Sequence, residues 1–469
     1  MDLPFDQAVL RQLPLADAVL NLWRWALDDQ PLLQLYERTR GATYQQEITF
    51  PQVVRVTADA LLCHHGSARQ ACDEHRRHMD LTVSDTAYYE KLRRLPTDVT
   101  EALLADTSVR MAQVLPELRY YTPPPSLRPF VLICLDGKAV KNVPKRLLPM
   151  RNARQGVLGG KALVALDMGR GLAIGMSTHP DGEANEARLV PFLLPQLDPH
   201  LQGQTALWIA DSQFCDLTRP DEFTAGGHHF LVRYSSRTKF TRDEEQPVRT
   251  GIDAQGRVWR EEVGWLGRKD HPARRQVRRI TLERPGDKDV VLVTDLLDGK
   301  AYPAEDLLEA YLQRWGIERV FQQITEVFHL SHLIGTSPEG TLFQLGLCLL
   351  VYNAIQVIRA YVAEGAKRPV ATVSTEMLFV DVRKQLTALY EVVGVEGAVA
   401  LIQGWEDAGE VRAYLRQLLG GQWRPLWAKS PSRPRRGRRQ SGDREHTSVY
   451  RILQAHGRPS SKKPPAPSG

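Results

Sequence analysis

The sequence has 469 residues, of which 42% are hydrophobic and 25% are charged, and its formal net charge is +6 at pH 7. This length and composition predict a globular protein with two or three domains. The five cysteines are odd in number and scattered, which excludes a disulfide framework and predicts a reducing, cytoplasmic environment. The modest basic excess favours an anionic partner without identifying it.

Residues 1–122 are predicted to form a helical, DNA-binding domain. A helix over 67–75, a turn and a second helix capped by Ser84 or Asp85 have the spacing of a helix-turn-helix. The second helix would carry the polar and basic residues Tyr88, Tyr89, Lys91, Arg93 and Arg94. A plain helical bundle with a basic rim explains the same pattern.

The segment 123–345 is predicted to be an α/β domain. Apolar runs at 130–136 and 206–211 each end in an aspartate, and continuous runs are typical of strands buried on both faces. The elements between and after them are predicted as two hairpin strands, a helix and a further strand, at 161–167, 172–177, 185–197 and 230–234. This order predicts a mixed sheet covered by helices.

The polar, partly alternating stretch at about 236–285 predicts an antiparallel β insertion, in which Trp259 and Trp265 either stack on a displaced base or belong to the core. Residues 346–428 are predicted to be helical. The uncharged run from Thr341 to Ile358 contains Gln344 and Asn353, so a buried core helix is expected and no membrane anchor. Residues 429–469 are predicted to be a basic disordered tail.

An amphipathic helix is predicted over 302–330. Tyr311, Arg314, Glu318 and Thr325 share one stripe of it at helical spacing. Two interpretations remain for Arg314 and Glu318: a solvated ion pair one turn apart, or a metal-binding glutamate beside an arginine that grips a phosphate.

The two strand-ending aspartates, Asp136 and Asp211, would lie about one strand spacing apart, ~4.8 Å, if their strands are neighbours. Glu318 on a helix packed over that edge would add a third carboxylate. Three hard oxygen ligands suit two Mg²⁺ ions, with Mn²⁺ as a substitute, and such a pair catalyses phosphodiester displacement. An aspartate at a strand end is also a common turn residue, and Asp295, which ends a similar strand, has no predicted role.

Several short matches occur together in the order of a known family. Tyr311, Arg314 and Glu318 fit a Tyr-x2-Arg-x3-Glu-x6-Lys motif, within YLQRWGIE, while ICLDGK and IADSQF surround the two aspartates. Over roughly 80–430 the chain resembles the DDE transposases of bacterial insertion sequences, in the insertion-sequence-four type branch. One position departs from the motif, because its lysine falls at Thr325; Arg319 is a basic residue on the same helix.

The resemblance implies an RNase H-like mixed sheet flanked by helices, with an inserted antiparallel β subdomain and a helical N-terminal domain. It implies a transposase in which Asp136, Asp211 and Glu318 are the catalytic residues and hold two Mg²⁺ ions, and in which Tyr311 and Arg314 contact DNA phosphates. The implied partners are double-stranded DNA, as terminal inverted repeats and target, and a second copy of the chain in the synaptic complex. The implied location is the bacterial cytoplasm, at the nucleoid.

Two alternatives stay open at this point. Thr325 at the lysine position fits a catalytically weakened, transposase-derived DNA-binding regulator. A metal-dependent nuclease without strand transfer would need the same three acids.

Overall fold

The computed structural model describes residues 5–43, 47–78, 81–141, 158–328, 330, 332, 334–335, 337–402 and 404–429. Apart from Lys429, the predicted basic tail lies outside these residues. The predicted domain boundaries stay predictions.

The N-terminal part of the described chain is helical. Its seven helices are α1 (Phe5–Gln12), α2 (Pro14–Ala26), α3 (Asp29–Thr39), α4 (Phe50–Leu62), α5 (Ala68–His78), α6 (Asp85–Arg93) and α7 (Thr97–Gln113). Local sequence explains several of the starts. Thr49 and Gln52 form a capping box on α4, and the predicted Ser84 cap accepts a hydrogen bond from the Ala87 N–H of α6.

A ten-stranded sheet forms the centre of the fold. Its strands are β1 (Val131–Ala139), β2 (Lys161–Asp167), β3 (Leu172–His179), β4 (Ala206–Ala210), β5 (His229–Arg233), β6 (Phe240–Arg242), β7 (Arg249–Ile252), β8 (Val258–Leu266), β9 (Arg275–Leu282) and β10 (Val290–Thr294). The strand order is β3-β2-β1-β4-β5-β10-β9-β8-β6, and β7 pairs with β8.

The first five strands have the RNase H-like arrangement. β1, β4 and β5 are parallel neighbours, whereas on the other side of β1 the strand β2 is antiparallel to β1 and β3 is antiparallel to β2. Continuous burial of β2 and β4 matches the expectation for strands covered on both faces. The predicted fold class, a mixed sheet flanked by helices, is confirmed.

The predicted β insertion is antiparallel, as expected, and it extends the central sheet. β10 lies between β5 and β9 and is antiparallel to both, so it connects the two halves. Trp259 is 6% exposed and its Nε1 donates to Glu305 of the helix that follows, which makes it a core residue. The half-buried Trp265 lies under the guanidinium of Arg274.

The predicted helix at 185–197 is wrong in detail. The chain forms short 3-10 turns and two four-residue helices, α8 (Val190–Leu193) and α9 (Asp198–Leu201). Pro191, Pro195 and Pro199 explain this, because proline lacks the N–H that a continuing helix needs. Another short helix, α10 (Arg219–Thr224), connects β4 to β5.

The single helix predicted over 302–330 is also wrong. It is divided into α11 (Ala304–Leu312) and α12 (Trp315–Glu326). Between the two helices the chain forms the i to i+3 hydrogen bonds of a 3-10 turn, such as the one from the Arg314 N–H to the Tyr311 carbonyl at 2.9 Å. The break separates Tyr311 from Glu318, so the predicted stripe does not continue across it.

Three helices complete the described chain: α13 (Pro338–Gly365), α14 (Thr375–Ala400) and α15 (Ala408–Leu419). α13 is long and apolar enough to cross a membrane by length and composition, but its apolar window is wholly buried inside the protein. It packs against β3, α7 and other N-terminal helices. This agrees with the predicted core helix.

Candidate active site

The two aspartates lie side by side on the central sheet. β1 and β4 are parallel, and their last registered pair joins Cys134 to Ile209. Asp136 and Asp211 are each two residues beyond this pair, so they occupy equivalent positions on neighbouring strands. Asp136 lies within β1, where pairing with β4 has ended but pairing with β2 continues, and Asp211 follows the last residue of β4.

Arg314 connects the third acid to the sheet. Its Nη2 lies 2.9 Å from Glu318 Oε1, and its Nη1 lies 3.6 Å from Asp136 Oδ2. The Arg314 side chain is only 8% exposed, whereas the Glu318 side chain is 39% exposed. The pair is therefore no solvated surface ion pair, because its arginine is buried against the strand that carries Asp136.

Helix α12 packs against the face of β1 to which Cys134 and Asp136 point. The Cys134 thiol lies 3.8 Å from the Arg314 carbonyl oxygen, and Asp136 pairs with the Arg314 side chain. Residues at spacing two on a strand point to the same face. The same face of β1 therefore faces the beginning of α12, where Arg314 links Glu318 to Asp136.

The electrostatic environment of Asp136 is unusual for a carboxylate. Burial raises its pKa to about 7; Asp211 and Glu186 add to the rise, while Arg314 and the Gly137 N–H, which donates to Oδ1 at 2.9 Å, oppose it. Such a strongly shifted carboxyl group beside a like charge is typical of functional sites.

Tyr311 is 3% exposed and lies near this cluster. Burial raises its pKa to about 12, while Arg314 and Arg233 lower it and Asp211 raises it. The Arg314 guanidinium lies 5.9 Å from the Tyr311 ring and 5.4 Å from the exposed Trp315 ring. The structure thus places Tyr311, Asp136 and Glu318 around Arg314, with Asp211 at the equivalent position on the neighbouring strand.

The donor set suits a hard divalent cation in kind, since it consists of carboxylate oxygens. Within the described residues, however, no three Asp, Glu, His or Cys side chains are close enough together to hold a metal ion. The Arg314 guanidinium lies between Asp136 and Glu318, so it must withdraw from one of them before all three acids can reach one ion. Its Nε is buried and has no hydrogen-bond partner within the described residues.

Sequence reasoning missed Glu186. This residue is 5% exposed, its Oε2 lies 2.8 Å from Lys161 Nζ, and it adds to the rise in the pKa of Asp136. A Cβ on Gly137 would lie only 2.0 Å from the Glu186 carboxylate, so only glycine fits beside it. A glycine inside a strand can mark such a close approach, so Gly137 is the one signal in the sequence that could have indicated this contact.

Asp295, which had no predicted role, has a structural one. Its Oδ2 accepts a hydrogen bond from His229 Nδ1 at 2.6 Å, and its Oδ1 accepts one from the Phe230 N–H at 2.9 Å. It therefore joins the end of β10 to the start of β5. It does not belong to the cluster of acids.

The predicted recognition helix corresponds to α6, and only part of its polar surface faces outward. Tyr88 is fully buried and lies 2.7 Å from the Thr57 hydroxyl, and Lys91 Nζ donates to the Tyr36 hydroxyl at 2.8 Å. The exposed basic residues are Arg93 and Arg94, both paired with Glu90. Two of the predicted contacts are therefore core contacts.

Fold and site together define a class: an RNase H-like domain with two aspartates at equivalent positions on neighbouring central strands and a glutamate linked to one of them through a buried arginine. Residues 128–354 match the family model described as "Transposase DDE domain". This segment is just under half of the 469 residues and contains Asp136, Asp211 and Glu318. The match supports the classification of this part of the chain as a DDE transposase domain.

No curated protein matches the sequence significantly. Among solved structures, one similar chain comes from "Cryo-EM structure of piggyBac transposase synaptic complex with hairpin DNA", with a TM-score of 0.41, 10% identity, and coverage of 95% of this chain and 90% of that chain.

Proposed function

We propose that this protein is a transposase that cleaves DNA at the ends of its own mobile element and joins the freed ends to target DNA. One observation supports this most strongly. Asp136 and Asp211 occupy equivalent positions on neighbouring parallel strands, and Arg314 links Asp136 to Glu318. This arrangement lies inside the segment that matches the transposase domain.

The proposed reaction has two displacements at phosphorus. In the first, water attacks a phosphodiester at the element end, the P–O3′ bond breaks, and a 3′-hydroxyl and a 5′-phosphate result. In the second, that 3′-hydroxyl attacks a target phosphodiester, a new P–O3′ bond forms, and a target 3′-hydroxyl leaves. The residues of this chain supply binding and orientation: Arg314, with its unsatisfied Nε–H, and Tyr311 would contact the phosphate oxygens.

Asp136, Asp211 and Glu318 are the residues that would hold two Mg²⁺ ions, with Mn²⁺ as a substitute. When bound, such ions act as Lewis acids toward the phosphate and favour deprotonation of the attacking oxygen. The role proposed for Arg314 follows from its position: its guanidinium balances the charge of Asp136 and Glu318, and beside bound cations it would be able to contact a phosphate.

The deciding experiment uses the full-length protein, Mg²⁺ and a labelled duplex that contains the DNA on either side of the coding region. We expect single-turnover cleavage that leaves a 3′-hydroxyl at the element end, followed by joining to an added plasmid. Cleavage without Mg²⁺, or no cleavage at any concentration, would contradict the proposal.

The same experiment separates the two alternatives. A transposase-derived regulator would bind the duplex without cutting it. A nuclease would cut it without joining the ends to the plasmid. Short inverted repeats flanked by a small direct duplication in the neighbouring DNA would support a mobile element and argue against both alternatives.

Further expectations belong to this proposal and depend on family resemblance. They are membership of the insertion-sequence-four type branch, a homodimer in the synaptic complex, terminal repeats and target DNA as partners, and location at the bacterial nucleoid in the cytoplasm. The proposed domains are 1–122, 123–345, 346–428 and 429–469.

A further inference from the structure

Lys138 is a cation of the site that the function above does not use. It follows Asp136 by two residues on β1, so both side chains are on the same face of the strand. Its Nζ lies 3.0 Å from Thr325 Oγ1 on α12 and 5.6 Å from the centroid of the Phe321 ring. The end of α12 thus contacts Lys138 as its beginning contacts Asp136.

The direction of the hydrogen bond is determined by Thr325. A threonine hydroxyl has one proton, and this one donates to the Phe321 carbonyl oxygen at 2.6 Å. The hydroxyl oxygen is therefore an acceptor for Lys138. Thr325 holds the ammonium group in place without neutralising its charge.

The ammonium group retains charge and donors for a ligand. It has three N–H donors, and Thr325 accepts from one of them. Across the part of the chain that the structure describes, Lys138 contacts Thr325 and Phe321 and forms no ion pair with a carboxylate, although the side chain is only partly exposed. A positive charge held beside acids without a direct ion pair suits an anion that approaches those acids, which under the proposed function would be a DNA phosphate.

We infer that Lys138 is a phosphate-binding residue of the site and that Thr325 is its positioning residue. The inference deepens the proposed function and rests on it. The cation reaches the site from strand β1, while the helix contributes only a hydroxyl about two turns beyond Glu318. Position 325 is a threonine, but the site still has a positive charge there because Lys138 supplies it from the strand.

The test measures DNA affinity without metal, so that it does not depend on cleavage. Full-length wild type and variants are titrated in EDTA against a fluorescein-labelled duplex containing the DNA beside the coding region, over a series of salt concentrations. Lys138→Met keeps the apolar stem over Phe321 but removes the charge. We expect about tenfold weaker binding, and a slope of log affinity against log salt that is smaller by about 0.9.

Two further variants test the assignment of roles. The exchange variant, Lys138→Thr with Thr325→Lys, restores the cation from the helix side and should recover both affinity and slope. Thr325→Val keeps the charge but removes its acceptor, so it should weaken affinity while leaving the slope close to that of wild type.

Arg319→Met is the matched control, because Arg319 is an exposed cation on the same helix. It should leave the affinity within about twofold of wild type, within the range of ordinary surface substitutions. Equal losses in Lys138→Met and Arg319→Met would show a general surface charge effect and overturn the inference. An unchanged slope in a Lys138→Met protein that unfolds at the wild-type temperature would overturn it as well.

Failure of the proposed function gives a different result. If wild type neither binds nor cleaves the duplex, the transposase proposal and this inference fall together. If wild type cleaves in Mg²⁺ and Lys138→Met retains both its slope and its cleavage rate, only the assignment of Lys138 fails. If Lys138→Met does not fold, a wild-type slope in the exchange variant supports the assignment, and a reduced slope there contradicts it.

Discussion

Arg314 Nη2 and Glu318 Oε1 lie 2.9 Å apart, one helical turn from each other on the helix that crosses the central sheet. The same guanidinium reaches Asp136 with its other terminal nitrogen. A single buried arginine thus balances the charge of two of the three acids.

Loss of any one acid should abolish the chemistry and spare DNA binding. Asp136→Asn, Asp211→Asn and Glu318→Gln each remove a charged oxygen ligand and keep the shape, so cleavage in Mg²⁺ should fall by about 10²–10³-fold or more. Single-turnover cleavage and a binding titration on the same duplex measure both effects. A variant that cleaves like wild type would remove its residue from the site.

Asp295→Asn is the control for these variants. It should cleave normally per folded molecule, because Asp295 lies outside the cluster. It should also lower the unfolding temperature, because the hydrogen bonds to His229 and Phe230 depend on its carboxylate. We expect the free energy of unfolding to fall by about 1–3 kcal/mol.

Arg314→Gln should make the protein more dependent on Mg²⁺ for stability. Without the guanidinium, Asp136 and Glu318 lose their counter-charge, so the variant should be destabilised in EDTA by about 1–3 kcal/mol. Mg²⁺ should then raise its unfolding temperature more than it raises that of wild type. Thermal unfolding with EDTA and with Mg²⁺ measures the difference.

Arg416→Gln is matched to this change, because Arg416 forms an exposed ion pair with Glu364 at 3.0 Å. It should change stability by less than about 0.5 kcal/mol in either condition. If Mg²⁺ raised the unfolding temperature of Arg314→Gln and of wild type by the same amount, Arg314 would not be balancing metal-binding acids.

The stability of the metal-free protein should depend on pH through Asp136. The pKa of this group is raised to about 7 in the folded state, against an ordinary value near 3.8 in the unfolded chain. Between these values the folded state binds more protons than the unfolded state, so this group makes stability fall as pH rises, by up to about 1.4 kcal/mol per pH unit. Asp136→Asn should flatten the decline between about pH 4 and 7.

Unfolding by denaturant in EDTA at a series of pH values measures this slope. Glu101→Gln serves as a comparison outside the cluster, because burial also raises the pKa of Glu101. An Asp136→Asn profile parallel to that of wild type would show that Asp136 ionises normally.

In the N-terminal region, the exposed residues of α6 should matter for DNA and the buried ones for stability. The double variant Arg93→Ala, Arg94→Ala should weaken DNA binding. The slope of log affinity against log salt should fall by up to about 1.8, the value for the loss of two phosphate contacts. Lys91→Ala should mainly lower the unfolding temperature, because Lys91 donates to the Tyr36 hydroxyl. Filter binding over a salt series, with thermal unfolding of each variant, distinguishes these effects. An unchanged slope in the double variant would contradict a DNA-binding role for α6.

Local patterns were sufficient for much of the fold. The buried runs that became β1 and β4, the hairpin of β2 and β3, and the apolar α13 were predictable because burial on both faces and turn chemistry leave their mark in consecutive residues. The errors occurred where local rules compete. Prolines divided the predicted helix at 185–197, and the turn at Arg314 divided the predicted helix at 302–330.

The sequence by itself determined which side chains are candidates for the chemistry: two aspartates at buried strands, a glutamate one turn from an arginine, and the order in which they occur. These are properties of residue type and near spacing. Only the tertiary structure decided that Arg314 pairs with Asp136, that Glu186 packs closely against Gly137, and that Lys138 donates to Thr325, 187 positions away. Contacts of this kind depend on how α12 crosses the sheet, and no local periodicity records that crossing.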